Sequence, residues 1–561
     1  MAEKLRFDRT ISCEGTRAPF RSTAIPLALG LLANAAIAAP TVYLDDQTTL
    51  DYSITMSYTA SSRTDNPASE YLNSLNNDDG TRNFDRWSLF TNRVNALAEA
   101  RLKHDNLGAV LRGSVFYDWA YRTSNDNDSP DTVNKTPPAN QFVQRTRELS
   151  GYYWRLLDAY AYGNWSLGAE QALSVKAGQQ VLAWGESLFW PNISQGQSPL
   201  DATKFNVPGT EAKEGYLPVG QLSASWTVNS WATLTGFVQY DWEETQLNPV
   251  GDYFGSDYFG PGAQFFRLAP GVIQSLPDQT FRVVNFAGEM KPSNSGQWGI
   301  GGRFQVSDAT EVGLYYYRYH DRVAALLFDF TGTTQYSSFP AFGKNASPGS
   351  TPYYKLAYFD DISLTGISVS TKAADAVQFG MDLSYRDGAP VYLNTGDPAR
   401  GQLAQANVNF VYILGQTPLA RQTTLLGEVA YQRIQGVDDL TVTGGLPYQN
   451  GTHNQFVYDL PTGRQTKATA LFGIGAYMEH PQVFEGWDLN TGATWTQNIY
   501  GSAWNGMGMD ERRLTLTANF IYLRNFNVGL TYVDYIGSPN IAAGRLLADR
   551  DYVSLNFKYT Y

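Results

Sequence analysis

"DAVQFGMDLSYR", residues 375–386, decides the fold class because apolar and polar side chains alternate along it. Its apolar face consists of Val377, Phe379, Met381, Leu383 and Tyr385. A period of two residues is typical of a β-strand whose two faces meet different environments. The stretch is also as long as a tilted transmembrane strand, which needs about 9–11 residues. It therefore predicts a β-strand that spans a membrane.

The same alternation recurs along the chain, notably in residues 107–121, 406–414 and 468–476. The apolar faces commonly end in Tyr or Trp, as expected where strands meet the aromatic girdles of a membrane barrel. We count about eighteen such segments, and an even number suits bacterial barrels. Because residues 88–104 and 297–306 alternate less regularly, the expected range is about sixteen to eighteen strands.

Composition favours a membrane barrel over a soluble β-protein. The chain has 36 Tyr, 29 Phe and 13 Trp but a mean hydropathy of only −0.32. Beyond the amino terminus no apolar run approaches the roughly 20 residues of a spanning helix. A closed barrel satisfies every backbone group inside a bilayer, whereas a soluble sandwich would normally use shorter strands. We expect an all-β fold, a transmembrane antiparallel β-barrel over residues 39–561.

The two ends of the predicted strands are connected differently. Some connections are short turns, such as residues 166–172, and others are long and polar, such as residues 122–142. Short periplasmic turns and long outer loops produce that asymmetry in outer-membrane barrels. We therefore expect outer-membrane lipid and lipopolysaccharide to surround this chain in a Gram-negative cell.

The carboxyl end, "DYVSLNFKYTY", also alternates and ends on an aromatic residue. We expect residues 553–561 to be the strand that closes the barrel. The ending resembles the terminal signal that the outer-membrane assembly machinery reads, with Phe557, Tyr559 and Tyr561 as its aromatic residues. Tyr561 is a departure, since Phe is the commoner last residue.

The amino terminus has the pattern of an export signal. Five basic residues precede the short apolar run "STAIPLALGLLANAAIA", which ends in the small residues Ala36 and Ala38. Such a run is too short for a transmembrane helix and is removed after export. Residues 1–38 are therefore predicted to be a signal peptide, cleaved after Ala38. The only cysteine, Cys13, lies inside it, so the mature chain has neither a disulfide nor a thiol nucleophile.

Charge and residue counts disfavour several partners and cofactors. The net charge is −12, and removal of a signal with five basic and three acidic residues leaves −14. An acidic chain does not suit nucleic acid, whose binding needs a basic face. With four His and no mature Cys, we expect no transition-metal site and no cofactor. The acidic stretches at 76–80 and 124–131 lack a full EF-hand pattern, so solvated loops are favoured over Ca²⁺ sites.

One segment differs from the rest of the chain. Alternation from Leu173 onwards predicts a strand ending at Trp184-Gly185, and the next strand begins near Val219. Between them, residues 186–218 contain four prolines, which exclude a long helix. The segment is far longer than a hairpin turn needs. Its aromatic side chains would form an adhesive patch if they were exposed.

This segment carries a specific resemblance. Trp184-Gly185-Glu186-Ser187, Pro199-Leu200-Asp201 and Pro208-Gly209-x-Glu211-x-Lys213-Glu214 are similar to the hallmark of an outer-membrane β-barrel family catalogued as domain of unknown function 1302. Ser198 stands where that family more often has Asn. The barrel pattern extends the resemblance over most of the chain.

The resemblance implies a transport function without a settled activity. Members of the family resemble substrate-specific barrels. They tend to be encoded beside a periplasmic lipid-carrier-like protein and a resistance-nodulation-division transporter. This implies passage of a hydrophobic or lipid-like compound through the envelope, with those two proteins as partners.

An enzyme is not expected. Gly185-Glu186-Ser187-Leu188-Phe189 begins like a nucleophile elbow, but Phe189 replaces the second Gly that the motif requires. Pro191 follows at once, so the helix that normally follows such an elbow cannot form. No catalytic residue is therefore assigned.

The segment supplies the candidate residues of a constriction that contacts the transported compound. They are Trp184, Glu186, Ser187, Phe189, Trp190, Asp201, Lys204, Phe205, Glu211, Lys213 and Glu214. Their charges would line a constriction or would pair and hold the loop in place, since charges away from water usually pair. We expect the segment to fold inward as a plug or constriction, with Lys204 and Lys213 bridging its carboxylates.

Three functions remain open at this point. The first is a channel or transporter for a lipophilic compound, and the second is a general or solute-selective porin. The third is a structural or adhesive surface barrel without transport. The inward faces are rich in Gly, Ser, Asn and Gln and appear poor in charge, as at Gly473, Gly475, Ser223 and Ser225. That composition favours a narrow or plugged lumen.

Overall fold

The structure is a computed structural model that describes residues 41–205, 207–210, 212–268, 283–343, 352–455, 466–502 and 507–561. The predicted signal peptide, with Ala36 and Ala38, lies outside the described residues, as does Glu211. Nothing in the structure therefore tests the cleavage site. Among the described residues, no helix has the length and apolar character needed to cross a membrane.

The chain consists almost entirely of strands. In chain order they are β1 (Thr41–Tyr43), β2 (Thr48–Arg63), β3 (Leu89–His104), β4 (Leu107–Asp118), β5 (Tyr152–Ser166), β6 (Ala172–Gln180), β7 (Val219–Asn229), β8 (Ala232–Gln239), β9 (Phe265–Arg267), β10 (Val283–Met290), β11 (Gln297–Ser307), β12 (Thr310–Tyr319), β13 (Ala325–Asp329), β14 (Gln335–Tyr336), β15 (Tyr353–Ala357), β16 (Ile362–Ala374), β17 (Val377–Tyr392), β18 (Pro398–Gly415), β19 (Gln422–Val437), β20 (Leu440–Thr443), β21 (Gly451–His453), β22 (Ala468–Phe484), β23 (Trp487–Tyr500), β24 (Arg512–Tyr522), β25 (Phe526–Ile536) and β26 (Tyr552–Thr560).

The helical elements that the structure describes are short and lie in the connections, none longer than six residues. They are α1 (Ser69–Leu72), α2 (Asp79–Arg82), a 3₁₀ turn (Trp119–Tyr121), α3 (Gln144–Leu149), α4 (Ala202–Phe205) and α5 (Ala212–Gly215). The last two lie inside the 186–218 segment, where the four prolines leave room for no longer helix.

Eighteen strands form one closed antiparallel barrel. Nineteen strands share the main sheet, and β1 is a short addition that pairs only with the first residues of β2. The barrel closes where β26 pairs with β2, from Thr55↔Thr560 to Arg63↔Tyr552. The predicted barrel and its closing strand are thus confirmed. The two less regular segments are also barrel strands, β3 and β11.

The two faces of the wall differ as the alternation predicts. On β17, Phe379 and Leu383 are 41% and 39% exposed, whereas Asp382 between them and Ser384 are buried. In a closed barrel the apolar face meets lipid and the other face lines the lumen. The lumen faces carry more charge than the sequence analysis expected. Ion pairs such as Arg112 with Glu99 explain this, because paired charges on neighbouring strands lower the cost of leaving bulk water.

Connections at the two ends of the barrel differ in size. At the end that holds Thr48 and Thr560, the strands are joined by short turns such as Asp105-Asn106. At the other end the long connections build two small sheets, β13-β15-β10-β9 and β14-β20-β21. Aromatic residues from several long connections also pack together there, among them Phe84 and Tyr253 at 5.5 Å between ring centroids. We call these the short-turn end and the long-connection end.

The acidic stretch at 76–80 is packed rather than solvated, contrary to the expectation from the sequence, whereas Asp126, Asp128 and Asp131 of the second stretch are exposed. Asp78 and Asp79 are buried, and Arg82 Nε donates to Asp78 Oδ2 at 2.8 Å. Asn127, from the second acidic stretch, donates to Asp79 Oδ1 at 3.4 Å. The two stretches therefore contact each other through Asn127 and Asp79. Within the described ranges, no cluster of His, Cys, Asp and Glu is arranged to hold a metal ion.

Candidate channel constriction

Strand β6 ends at Gln180, four residues before the predicted end at Trp184. Beyond Gln180 the backbone bonds to side chains of its own segment instead of to a neighbouring strand. The amide of Leu182 donates to Ser198 Oγ at 3.1 Å, and the amide of Trp184 donates to Gln197 Oε1 at 2.7 Å. These side-chain acceptors replace the sheet ladder, so the strand stops early.

Trp184 packs on a group of aromatic side chains from the lumen faces of β8 and β12. Its ring lies 5.2 Å from Phe237 and 5.2 Å from Tyr315, which it stacks on. Tyr317 lies 6.2 Å away and donates its hydroxyl proton to the carbonyl of Ile193 at 2.5 Å. The start of the segment is therefore held against one side of the lumen wall.

Gly185 allows the chain to turn from β6 towards β17. Its φ is +97°, a conformation that L side chains rarely adopt. A Cβ at this position would lie 2.6 Å from Asp382 Oδ2. Both the positive φ and the lack of space for a Cβ atom thus require glycine at position 185.

Five consecutive backbone amides then bind two carboxylates of the barrel wall. Asp382 of β17 accepts from the amides of Glu186 and Ser187 at 2.9 and 3.1 Å, and from Ser187 Oγ at 2.6 Å. Glu428 of β19 accepts from the amide of Leu188 and from those of Phe189 and Trp190 at 3.2 Å. Hydrogen bonds to an ionised acceptor are about twice as strong as neutral ones. Asp382 and Glu428 are therefore the principal anchors of residues 186–190.

Amide side chains between the two carboxylates complete this anchor. Asn407 of β18 donates to Glu428 Oε1 at 2.7 Å and to the carbonyl of Trp190 at 2.8 Å. Asn409 donates to the carbonyl of Glu186 at 2.7 Å. Asn192 of the segment donates to Asn407 Oδ1 at 3.1 Å. Polar groups of residues 186–192 are thus hydrogen-bonded to side chains of β17, β18 and β19.

The rings of Phe189 and Trp190 lie 5.6 Å apart and cover Gly473 of β22. A Cβ on Gly473 would lie 3.1 Å from Trp190 and 3.2 Å from Phe189. The absence of a side chain at this inward position therefore makes room for the two rings.

The second half of the segment contacts β3 and β5 through ion pairs. Arg155 Nη1 of β5 lies 3.3 Å from Asp201 Oδ2. Lys213 pairs with Glu99 of β3, and Lys204 lies 3.8 Å from Glu214 Oε2. The sequence predicts that both lysines bridge carboxylates of the segment. Lys204 does so with Glu214, and Lys213 contacts Glu99 of the barrel wall.

Other contacts place the segment between two well-separated arcs of the barrel. Thr59 of β2 donates to the carbonyl of Pro208 at 3.3 Å, and Gly209 lies against Asn556 of β26. Along the closed sheet, β2 and β17 are separated by nine strands in one direction and seven in the other. The 186–218 segment therefore contacts lumen faces on nearly opposite sides of the barrel. Phe205, which is 44% exposed, and Tyr216 lie between those arcs with ring centroids 6.5 Å apart.

A Gly185→Ala variant tests whether the turn controls passage. Alanine is strained at positive φ and would also displace Asp382, so we expect residues 186–190 to lose their anchor and single-channel conductance to rise. Gly415→Ala is the matched control, because Gly415 has φ +70° but no atom within 4 Å of its Cβ position. Planar-bilayer recording of both variants makes the comparison. Equal conductance in the two would show that the anchor does not limit flow.

Glu186 is a titratable group of the segment near neutral pH. Burial, together with the nearby carboxylates of Asp382 and Glu311, raises its pKa to about 7 against the opposing effects of Arg303 and a hydrogen bond with Ser370. Since the folded state holds this proton more tightly than the unfolded chain, the contribution of Glu186 to stability falls as pH rises from the usual range of Glu through 7.

We expect the cation-to-anion permeability ratio of the barrel to increase as pH rises from about 6 to about 8, since Glu186 gains its charge in that window. Glu186→Gln should flatten this part of the pH profile. Reversal potentials across a salt gradient, measured at several pH values, check the expectation. A profile that Glu186→Gln leaves unchanged would assign the titration to another group.

Sequence reasoning did not identify Asp382, Glu428 or Asn407 as site residues. Asp382 and Asn407 lie in alternating stretches, where each is one polar residue among several. One acidic residue on the inward face of β17 and one on that of β19 were the available signal. Their partners are more than 190 positions away in the chain, which no local pattern reveals.

Several solved structures match this chain at low similarity. OccK9 (OpdG) of Pseudomonas aeruginosa matches with a TM-score of 0.41 and 11% identity, covering 91% of this chain and 97% of that chain. OccAB2 of Acinetobacter baumannii has a TM-score of 0.39 and 10% identity, covering 91% and 98%. The outer membrane channel DcaP of Acinetobacter baumannii has a TM-score of 0.36 and 10% identity, covering 94% and 100%. No curated protein matches the sequence.

A family model described as "Protein of unknown function (DUF1302)" matches residues 20–561. That span includes the whole barrel and the Trp-Gly-Glu-Ser and Pro-Gly-x-Glu-x-Lys-Glu elements of the segment. The chain is a member of the DUF1302 family of outer-membrane-type β-barrels.

Proposed function

We propose that this protein is a channel of the Gram-negative outer membrane whose passage is restricted by the 186–218 segment. The observation that carries the proposal is that two sets of contacts hold the segment to well-separated parts of the barrel wall. Asp382 and Glu428 hold the first part of the segment, and Arg155 and Glu99 hold the second. A segment held at both arcs divides the lumen, so a solute that crosses the barrel must pass beside it.

The cargo that we propose is a hydrophobic or lipid-like small molecule. The family resemblance supports this choice, and so do the aromatic side chains of the segment, Trp184, Phe189, Trp190 and Phe205. Aromatic rings supply large apolar contact areas with few rotatable bonds. In this proposal a periplasmic lipid-carrier-like protein and a resistance-nodulation-division transporter act with the channel. The assembly machinery inserts it through the end marked by Phe557, Tyr559 and Tyr561.

A solute-selective porin is the second candidate. The observation in its favour is the polar lumen face of β23–β25, which carries Thr494, Thr496, Thr515, Thr517 and Thr531. Hydroxyl groups along a wall suit hydrated solutes better than apolar ones. A porin with this lumen would pass small hydrophilic molecules at rates set by their size.

Uptake by intact cells separates the candidates. Cells expressing the full chain receive N-phenyl-1-naphthylamine, a hydrophobic fluorescent probe, or radiolabelled sucrose as the hydrophilic probe. We expect faster uptake of the hydrophobic probe alone, and loss of that gain in a Phe189→Ala/Trp190→Ala variant. Trp487→Ala, which changes an aromatic residue of the short-turn end, is the matched control. Faster sucrose uptake would favour the porin, and no change for either probe would favour a surface barrel without transport.

A further inference from the structure

Three cations lie on the lumen faces of β3 and β6, near the short-turn end. Arg101, Lys103 and Lys176 are all exposed. Among the residues that the structure describes, none of the three has a carboxylate within salt-bridge distance. By contrast, Arg93, Arg112 and Arg155 of the lumen faces each form an ion pair, and Arg386 donates to Gln405 and to the carbonyl of Asn192.

The strand register places these cations beside one another. In the strand register, Lys103 of β3 lies opposite Gly108 of β4, and Gly108 lies opposite Tyr162 of β5. Tyr162 in turn lies opposite Lys176 of β6, so both lysines belong to one row of residues that crosses four strands. The ring of Tyr162 covers Gly108 in the space between them. Arg101 is two residues from Lys103 on the same face of β3, and both Asp158 and Arg101 act electrostatically on Lys176. The cluster therefore forms a cationic arc along the wall.

The arc continues towards the 186–218 segment through a chain of ion pairs. Lys213 contacts Glu99, Arg112 Nε lies 2.7 Å from Glu99 Oε1, and Arg112 also contacts Asp158. Asp51 pairs with Arg101 in the β-ladder and accepts a hydrogen bond from Thr41 Oγ1 at 2.6 Å.

Among the described residues of the wall, four cations and three carboxylates share this arc. They are Arg101, Lys103, Arg112 and Lys176, and Asp51, Glu99 and Asp158. The surplus is positive in a chain whose net charge is −12.

We propose that Arg101, Lys103 and Lys176 form an anion-binding station in the lumen, on the short-turn side of the segment. This inference rests on the proposed channel function and adds a substrate class, a compound that carries a carboxylate or phosphate group. Lysine and arginine side chains donate several charge-assisted hydrogen bonds to such groups. Because the three side chains are exposed to the lumen, an entering anion reaches them without displacing an internal carboxylate.

Ion selectivity is the first test of the station. Reversal potentials of the full chain in a KCl gradient should show an anion-to-cation permeability ratio above one near pH 6, where Glu186 is protonated. The Arg101→Gln/Lys176→Gln variant should lower that ratio at least about twofold, because lumen charge sets local counter-ion concentration. The control is Lys372→Gln, which removes an exposed cation from β16 at the same end of the barrel. A cation-preferring channel, or an equal shift in the control, would overturn the station and leave the channel proposal intact.

Ligand binding is the second test, and it does not require conductance. Saturation-transfer NMR on the full chain in a neutral detergent compares benzoate with benzyl alcohol, which has nearly the same shape but no charge. We expect a benzoate signal that falls at least about twofold in the Arg101→Gln/Lys176→Gln variant, while the benzyl alcohol signal stays constant. If benzoate binds but the barrel neither conducts nor transports, the channel proposal fails and the station stands. Equal signals for both ligands in both proteins would overturn the station.

Discussion

A chain that lacks Asn192–Pro208 should assemble as a barrel and conduct at least about fivefold more current than the full chain, since barrels of 16–18 strands enclose an aqueous lumen when nothing fills it. The deletion removes the contacts with Arg155, Thr59 and Tyr317, and with them the path of the segment between the two arcs. It leaves every strand pair of the barrel in place, including the β2–β26 closure. We expect planar-bilayer recordings to show larger and less selective openings.

Assembly has to be checked separately from conductance. Heat-modifiable gel migration and a β-type circular dichroism spectrum in detergent should be the same for the deletion and the full chain. A deletion of Leu440–His453, which removes β20 and β21 from another long connection, is the matched control and should leave conductance near that of the full chain. If the Asn192–Pro208 deletion assembles and leaves both conductance and transport unchanged, the segment has no role in passage.

Removal of both carboxylate anchors should produce the second largest effect. In an Asp382→Ala/Glu428→Ala variant, the amides of residues 186–190 lose their acceptors on the wall. Each buried polar group left without a partner costs about 1–3 kcal/mol, so the first part of the segment should detach from the wall. We expect open-channel current to increase and to fluctuate between levels, because the second part stays held by Arg155 and Glu99.

Two comparisons make this result specific to the anchor. Asp382→Asn/Glu428→Gln keeps an oxygen acceptor at each position, so we expect an intermediate conductance. Asp375→Ala removes an exposed carboxylate from the short turn after β16 and should have no effect. Barrel stability, followed by the temperature at which heat modification occurs, should change little in all three variants. A double variant with unchanged current would show that the amide contacts do not hold the segment in the lumen.

The architecture was predictable from sequence because each strand carries its own signal. The alternation of Val377–Tyr385 indicates which side chains face lipid, and the exposure of Phe379 and Leu383 confirms it. The aromatic ending at Tyr561 correctly predicted the strand that closes the barrel. These are local properties, since a period of two residues needs no knowledge of the neighbouring strands.

The details of the segment were less predictable. Apolar alternation continues past Gln180 and predicts that β6 ends at Trp184. The strand ends earlier since Ser198 and Gln197 supply acceptors for the backbone, and those residues return to this point only in the folded chain. The pairing of Lys213 was missed for the same reason, because its partner Glu99 belongs to a strand more than 100 positions away.

The amino-acid sequence by itself determined the barrel, its closing strand, its lipid-facing surface and the position of the one long segment that departs from alternation. Only the tertiary structure decided which wall residues hold that segment. Closure of the eighteen strands brings Asp382, Asn407 and Glu428 side by side on the barrel wall. It also places them against residues 186–192, which follow β6 in the chain. The physical reason is that alternation depends on neighbouring residues in one strand. A hydrogen bond across the lumen depends instead on the register of every strand between its partners.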